Sequence, residues 1–203
     1  MQDLILFIIA FSVGFVHTFE ADHLAAVTNL VTRNIGFSVT AKDGFYWGIG
    51  HSATIWFIGL VILVFKYNIS NTSFSKLESI VGLMLIVLGV VRMIHFKKGH
   101  QHTKFSSPKL AFGVGVVHGL AGSGAVVAAA VTKTSNISSG LIYLLLFGLG
   151  SIVGMFSVSA GLSWMLQKLN FKITTLVTLF TFFSSLICIV YGSVIIYNSL
   201  FTI

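Results

Sequence analysis

The chain is poor in charged residues and in cysteine. Only 8% of its 203 residues are charged, five residues are acidic, and Cys188 is the single cysteine. A lone cysteine excludes a disulfide framework, a CxxC redox pair and a cysteine zinc site. Hydrophobic residues make up 56% of the chain and the mean hydropathy is +0.98, which leaves too little polar surface to cover a soluble globule. The composition therefore predicts a membrane protein.

The basic residues are more numerous than the acidic ones, and the formal net charge is +7. Such a balance can indicate nucleic-acid binding. Most of these residues, however, lie at the ends of apolar runs, where lipid phosphates and the orientation of the chain explain them more simply. We therefore expect the lipid bilayer, and no nucleic acid, as a partner.

Six apolar segments are long enough to cross a bilayer, which takes about 20 residues in a helix. They cover residues 3–32, 44–66, 75–96, 109–132, 139–166 and 173–200. The loops are too short for a soluble domain, so we predict an all-α polytopic membrane protein with six transmembrane helices in a single domain, residues 1–203. The first segment has charges near its middle, which predicts a kink or break near His17 to His23.

The distribution of Lys and Arg predicts the orientation. The side reached after segments 1, 3 and 5 has nine of these residues, whereas the opposite side has three. The nine are Arg33, Lys42, Arg92, Lys97, Lys98, Lys104, Lys109, Lys168 and Lys172, and the three are Lys66, Lys76 and Lys133. The positive-inside rule then predicts a multi-pass protein of the cell membrane with both termini outside.

The two halves of the chain resemble each other. Residues 11–17, FSVGFVH, align with residues 112–118, FGVGVVH, and Gly48-Ile49-Gly50 corresponds to Gly148-Leu149-Gly150. This similarity predicts two inverted three-helix repeats, about residues 1–96 and 109–203, an architecture of many secondary transporters. Chance similarity between apolar Gly/Val-rich segments is the alternative.

Four ionisable residues interrupt the first apolar segment: His17, Glu20, Asp22 and His23. An ionisable group at bilayer depth costs roughly 2.5 to 3.5 kcal/mol on insertion scales, so such a cluster usually faces an ion, a partner or water. On a regular helix, His17, Glu20 and His23 share one face, and Asp22 lies about 140° from His17. Asp22 then either turns inward through a local distortion or accepts an imidazole N–H.

Two further histidines, His51 and His118, lie within apolar segments and follow glycines. Either one alone could be a hydrogen-bonded packing residue. Nitrogen and oxygen donors without thiolate suit Ni(II), Co(II) or Zn(II) better than Cu(I). The second repeat has small residues, His118-Gly-Leu-Ala-Gly-Ser-Gly124, where the first has its charges, and these leave room for an ion. The candidate metal ligands are His17, Glu20, Asp22, His23, His51 and His118.

Other polar residues have simpler interpretations. Asp43 and Glu78 are expected near segment ends, solvated or balancing Lys42 and Lys76. A loop histidine group is interpreted as ordinary loop polarity, with weak metal binding as the alternative; it comprises His95, His100 and His102.

The pattern His17-x4-Asp22-His23 resembles the His-x4-Asp-His signature of the nickel/cobalt transporters, and Gly50-His51-Ser52 is similar to that family's second motif. The element at 118–124 resembles the compact six-helix, urease-accessory-type relatives. The resemblance implies permeation of Ni(II) or Co(II), with His17, Asp22, His23 and His51 as functional positions. Larger family members have about eight helices and an extra helix before the first motif, and the extra helix is missing here.

We therefore predict a secondary transporter or permease for a divalent metal ion, with no enzymatic activity and no cofactor besides the transported ion. One alternative is a non-transporting accessory or assembly protein. Another is a membrane acyltransferase, in which Asp22 would orient His17 as a general base. The sequence has no Walker-type phosphate loop, so ATP could act only through an accessory partner, whose identity the sequence does not indicate.

Overall fold

The computed structural model describes residues 2–31, 36–65, 71–97, 107–134, 136–168 and 173–201. Within these ranges the chain forms seven helices and no strand. The helices are α1 (Gln2–His17), α2 (Ala21–Val31), α3 (Phe37–Phe65), α4 (Asn71–Lys97), α5 (Pro108–Lys133), α6 (Ile137–Lys168) and α7 (Ile173–Phe201).

Four helices are long and apolar enough to cross a membrane by themselves: α3, α4 over Lys76–Ile94, α6, and α7 over Thr178–Phe201. Two bent helix pairs raise the number to six if each pair crosses as one span. One pair joins Leu4–His17 to Ala21–Val31 at 55°, and the other lies within α5, where Pro108–Ala121 and Val126–Lys133 meet at 54°. The described chain is therefore all-helical with four to six candidate spans, as expected for a polytopic membrane protein.

The first span breaks where its ionisable residues are concentrated. α1 ends at His17, and tight-turn hydrogen bonds between backbone groups of residues 15–20 follow. The carbonyl of Glu20 then accepts the first bond of α2 from the N–H of Leu24 at 2.9 Å. Asp22 lies in the first turn of α2, where the helix dipole favours a carboxylate. The predicted break near His17 to His23 is confirmed.

Large apolar side chains cover the outside of the bundle; Phe57, Leu83 and Ile187 are examples of exposed residues on three different helices. A helix that is hydrophobic on all sides is buried in protein or in a membrane. This surface fits contact with lipid hydrocarbon.

The interior contains two groups of buried apolar residues, which we call the α1 core and the α2 core after the helix that each includes. The α1 core comprises Ala10, Ile55, Val127, Ala130, Tyr143, Leu144 and Phe147. The α2 core includes Ala26, Val31, Trp47, Leu85, Met155 and Cys188. The α1–α2 break lies where the two cores meet, because His17 contacts Phe147 at a ring-centroid distance of 5.4 Å and His23 stacks on Trp47 at 5.7 Å.

Glycines allow the central helices to pack closely against each other. A Cβ atom at Gly50 of α3 would collide with the backbone carbonyl of Phe112 on α5, and one at Gly150 of α6 would collide with that of Phe11 on α1. Only a residue without a side chain allows this approach. Of these helices, α3, α5 and α6 each place a side chain against the histidines of the α1–α2 break: His51, His118 and Phe147.

Two charged residues are buried where the sequence predicted loops or segment ends. α3 starts at Phe37, before the predicted residue 44, so Asp43 lies inside α3 and is 5% exposed. Arg92 was counted among the charges of the cytoplasmic side although it falls inside the predicted segment 75–96; it is buried within α4 and donates a hydrogen bond to Thr181 Oγ1 of α7 at 3.3 Å. The expectation of a solvated Asp43 was wrong because α3 begins earlier than predicted and buries this residue.

Candidate metal site

Four histidines converge at the break between α1 and α2. His17 ends α1, His23 lies in α2, His51 in α3 and His118 in α5. The ring of His23 is central, with centroid distances of 4.6 Å to His17, 5.2 Å to His51 and 4.8 Å to His118. The structure thus brings together all four histidines that the sequence singled out within apolar segments.

Carboxylates fix the orientation of two of these rings. His17 Nδ1 lies 2.7 Å from Glu20 Oε1, and His23 Nδ1 lies 3.1 Å from Asp22 Oδ1. An ionised carboxylate only accepts hydrogen bonds, so each Nδ1–H donates and each Nε2 keeps its lone pair. Metal-binding histidines commonly have this arrangement. Of the two roles expected for Asp22, the contact with an imidazole N–H is observed.

His118 is oriented by the backbone of its own helix. Its Nδ1–H donates to the carbonyl oxygen of Val114 at 3.2 Å, which leaves Nε2 with the lone pair. That Nε2 lies 3.9 Å from Asp22 Oδ2. Asp22 therefore bonds one histidine through one oxygen and approaches a second histidine with the other.

Two overlapping groups of donor atoms result. His17, His23 and His51, which we call the imidazole triad, each offer one nitrogen, and these atoms lie within 4.8 Å of one another. Asp22, His23 and His118, the carboxylate triad, meet the same limit. His23 belongs to both. Ligands bound to one ion at about 2.0 to 2.2 Å lie within roughly 4 Å of each other, so small side-chain shifts would close either group around an ion.

The ring nitrogens that face this region lack hydrogen-bond partners among the described residues. They are His17 Nε2, His23 Nε2, His118 Nε2 and both nitrogens of His51. A buried polar atom without a partner costs about 1 to 3 kcal/mol. Several such atoms in one place fit a site whose lone pairs bind a cation.

Glu20 has a different position from the other candidates. Its side chain is 58% exposed, compared with 10% for His17 and 23% for Asp22. It contacts His17 but belongs to neither triad. Its carboxylate lies at the outer edge of the histidine cluster, in the turn between α1 and α2.

Trp47 also lies against the site, although the sequence motifs did not include it. Its ring stacks on His23 at 16° and lies 5.4 Å from that of His118. It precedes His51 by four residues on α3, so the two share a helix face. The four-residue spacing between Trp47 and His51 was the feature of the sequence that could have identified Trp47 as part of the site. The indole ring forms an apolar wall of the site.

The small-residue element of the second repeat lies partly within the described chain. A Cβ atom at Gly119 would lie 2.5 Å from the carbonyl oxygen of His51, so this glycine lets α5 approach α3 beside the site. Ala121 is buried. The side chains of Ser123, His95, His100 and His102 are outside the described residues.

Comparisons with known proteins find relatives of the chain in several organisms. No family model matches the chain, and no solved structure gives a significant match. The chain is 32% identical over 165 residues to the urease accessory protein UreH of Bacillus sp. (strain TB-90), covering 73% of this chain and 72% of that protein. It is 26% identical over 162 residues to a protein of Methanocaldococcus jannaschii named for nickel/cobalt efflux, covering 76% and 74% of the two chains.

A third relative matches over a shorter stretch. The nickel transporter NixA of Staphylococcus aureus is 30% identical over 100 residues, which cover 43% of this chain and 28% of that protein. The match to UreH extends over more than two thirds of both proteins. The chain therefore belongs to the nickel/cobalt transporter-type family of membrane proteins that includes the urease accessory protein UreH.

Proposed function

We propose that the chain is a secondary transporter, or permease, for a divalent transition-metal ion, Ni(II) or Co(II), which binds to His17, Asp22, His23, His51 and His118. The proposal depends above all on the unpartnered ring nitrogens of four histidines, three of them buried and His17 partly buried, at a break within a candidate span. Packing histidines normally satisfy both ring nitrogens, whereas ligands keep one lone pair for the ion.

The donor set favours these metals. Imidazole with one carboxylate and no thiolate suits Ni(II), Co(II) and Zn(II). The names of two relatives refer to nickel/cobalt efflux and to nickel transport, which supports Ni(II) or Co(II) over Zn(II). The ion is the substrate, and the proposal includes no resident cofactor.

The transporter consists of six spans in two inverted three-helix repeats within one transmembrane domain. Support comes from contacts that recur at a shift of about 100 residues: Gly50 packs on Phe112, and Gly150 packs on Phe11. Gly82 and Gly192 also face each other's carbonyl oxygens between α4 and α7. Each repeat opens with a bent helix. Three crossings per repeat give the second repeat the opposite orientation.

Both termini lie outside, and the ion enters at the break. The positive-inside rule supports this orientation, because eight Lys and Arg residues still oppose three when buried Arg92 is left out of the nine. The exposed carboxylate of Glu20 attracts the cation, and imidazoles then replace its waters. A rocking movement of the two repeats against each other then opens the site to the opposite side of the membrane. Protonation of the ligands promotes release, because histidine and carboxylate must be deprotonated to bind a metal ion.

The main alternative is a non-transporting accessory protein, which the name of the relative UreH favours. Such a protein would bind the ion without moving it. The acyltransferase alternative requires Asp22 to orient His17. In the structure Asp22 bonds His23, while His17 bonds Glu20, so the enzyme alternative has less support.

Uptake by the purified chain separates these functions. The full chain is reconstituted in liposomes that contain a Ni(II)-sensitive dye, and Ni(II) or Co(II) is added outside. A transporter gives saturable uptake that Mg(II) and Ca(II) do not match and that His23→Ala lowers to the level of empty liposomes. Binding without uptake indicates the accessory function. Acyl release from a lipid donor, with neither binding nor uptake, indicates the enzyme.

A further inference from the structure

We infer that the site offers the ion two alternative positions, the imidazole triad and the carboxylate triad, and that these positions exclude each other because both need His23. This inference rests on the proposed function. According to this inference, the ion occupies the two triads one after the other as it crosses the protein.

The donor atoms divide into two sets. His17 and His51 meet His23 in one set, and Asp22 and His118 meet it in the other. Ligands of a single ion at about 2.0 to 2.2 Å lie within roughly 4 Å of one another, and the atoms of each set lie within 4.8 Å, so small side-chain shifts would close either set around one ion. Among the described residues, the five donors do not form one such set.

His23 can serve only one position at a time. Its Nδ1–H donates to Asp22 Oδ1 at 3.1 Å, and Nε2 is the nitrogen without a partner. A single lone pair binds one ion. The two positions are therefore mutually exclusive, and the chain binds one ion in total. The ion moves when His17 and His51 are exchanged for Asp22 and His118.

The two positions differ in charge and in the helices that form them. The imidazole triad is neutral when it binds and uses residues of α1, α2 and α3. The carboxylate triad is anionic and joins α2 to α5, with His118 Nε2 3.9 Å from Asp22 Oδ2. The negative charge favours the divalent ion in the second position. His118 is thus needed for the ion to bind in the second position. It is not needed for the ion to bind to the imidazole triad.

Co(II) is the probe, because its visible absorption and X-ray absorption report the ligands that it binds. The full-length chain in detergent is titrated with Co(II), and uptake is measured in liposomes. We expect one Co(II) per chain in the wild type. His118→Ala keeps one Co(II) bound by three imidazoles, at lower affinity because the favoured anionic position is lost, while uptake falls at least about tenfold, the scale of losses at metal sites.

His51→Ala gives the complementary result. The bound Co(II) then has two imidazoles and a carboxylate, and its spectrum differs from that of His118→Ala. His23→Ala loses binding at both positions. His118→Gln and His51→Gln replace any alanine variant that does not elute as a folded protein. Thr132→Ala on α5, an exposed residue whose hydroxyl bonds only its own helix at 2.8 Å, is the control and leaves binding and uptake unchanged.

The outcomes distinguish this inference from the function on which it rests. If the wild type neither binds nor takes up Co(II), the proposed transporter function fails. If the wild type transports, but His51→Ala and His118→Ala change the Co(II) spectrum and affinity alike, one five-ligand site replaces the two positions. Two Co(II) ions per chain, or wild-type affinity in His23→Ala, would also overturn the shared role of His23.

Discussion

The rings of His17 and His23 meet edge to face, with centroids 4.6 Å apart, although the helix axis bends by 55° between them. On a straight helix, two residues six positions apart are separated by about 9 Å along the axis and about 120° around it. The break therefore creates the pair. It also leaves the side chain of Glu20, in the turn between the two helices, 58% exposed.

Removal of either histidine of this pair should weaken metal binding, but to different degrees. His23→Ala removes a ligand of both triads, and we expect the dissociation constant for Ni(II) to rise at least about tenfold. His17→Ala removes a ligand of the imidazole triad alone and should raise that constant less. Isothermal titration of the purified protein measures this change. Ser157→Ala, an exposed residue whose hydroxyl bonds its own helix at 2.7 Å, provides the control. Unchanged affinity in either histidine variant would exclude that residue as a ligand.

Asp22→Asn should separate a functional role of this carboxylate from a role in folding. The amide keeps the shape but loses the negative charge, and its NH2 group can only donate where the carboxylate accepted. We expect a folded protein, judged by its elution profile and Tm, whose uptake falls below about half of wild type. Uptake above that level, after normalisation for expression, would shift the functional role to Glu20.

Glu20→Gln should affect the rate of uptake more than affinity. The amide oxygen can still accept from His17 Nδ1–H, so the ring keeps its orientation while the exposed charge is lost. Exposed charges attract ions over a Debye length of about 10 Å at 0.1 M salt. We expect slower uptake at low metal concentration, an effect that shrinks as ionic strength rises, and nearly unchanged affinity. A large loss of affinity would instead make Glu20 a direct ligand.

Two glycines of α5 offer a matched test of helix packing. A Cβ atom at Gly115 would collide with the backbone carbonyl of Trp47, whereas one at Gly113 would meet nothing within 4 Å. Alanine is favoured over glycine in a helix by about 1 kcal/mol. Gly113→Ala should therefore keep or raise Tm, and Gly115→Ala should lower Tm and weaken metal binding by moving α3. Equal effects on Tm would contradict the close α3–α5 packing.

Chemical labelling tests the orientation. Cysteines are introduced separately at Asn198 and Lys98 in a Cys188→Ala background, and intact cells receive an impermeant maleimide. We expect Asn198→Cys to react from outside and Lys98→Cys to react only after the cells are opened. Native Cys188, with 0% of its surface exposed, should not react in the folded protein. Reaction of both introduced cysteines from the same side would refute the six-span topology.

The sequence predicted the membrane class and the break, and it singled out the four histidines that converge, because long apolar runs form spans and charges within such a run rarely persist without a function. It placed His17, Glu20 and His23 on one face by assuming a continuous helix. That assumption fails because the chain breaks between α1 and α2. The side chain of Glu20 is exposed, whereas His17 and His23 contact each other. The division into two triads depends on the distance at which α5, which packs on α3, places His118 from His23. The spacing of residues within one helix does not indicate the distance between His118 and His23, which lie on different helices.

The packing of Gly50 on Phe112 and of Gly150 on Phe11 also determines when the protein can become stable during synthesis. α3 finds its partner surface on α5, and α1 finds its own on α6. Neither of these surfaces exists while the ribosome is still translating the first 100 residues. We therefore expect α1 and α3 to insert into the bilayer first and to expose their glycine-containing faces to lipid. They can pack stably only after α5 and α6 have been synthesised. A chain truncated after α4 would remain in this unassembled condition and be a ready substrate for membrane proteases.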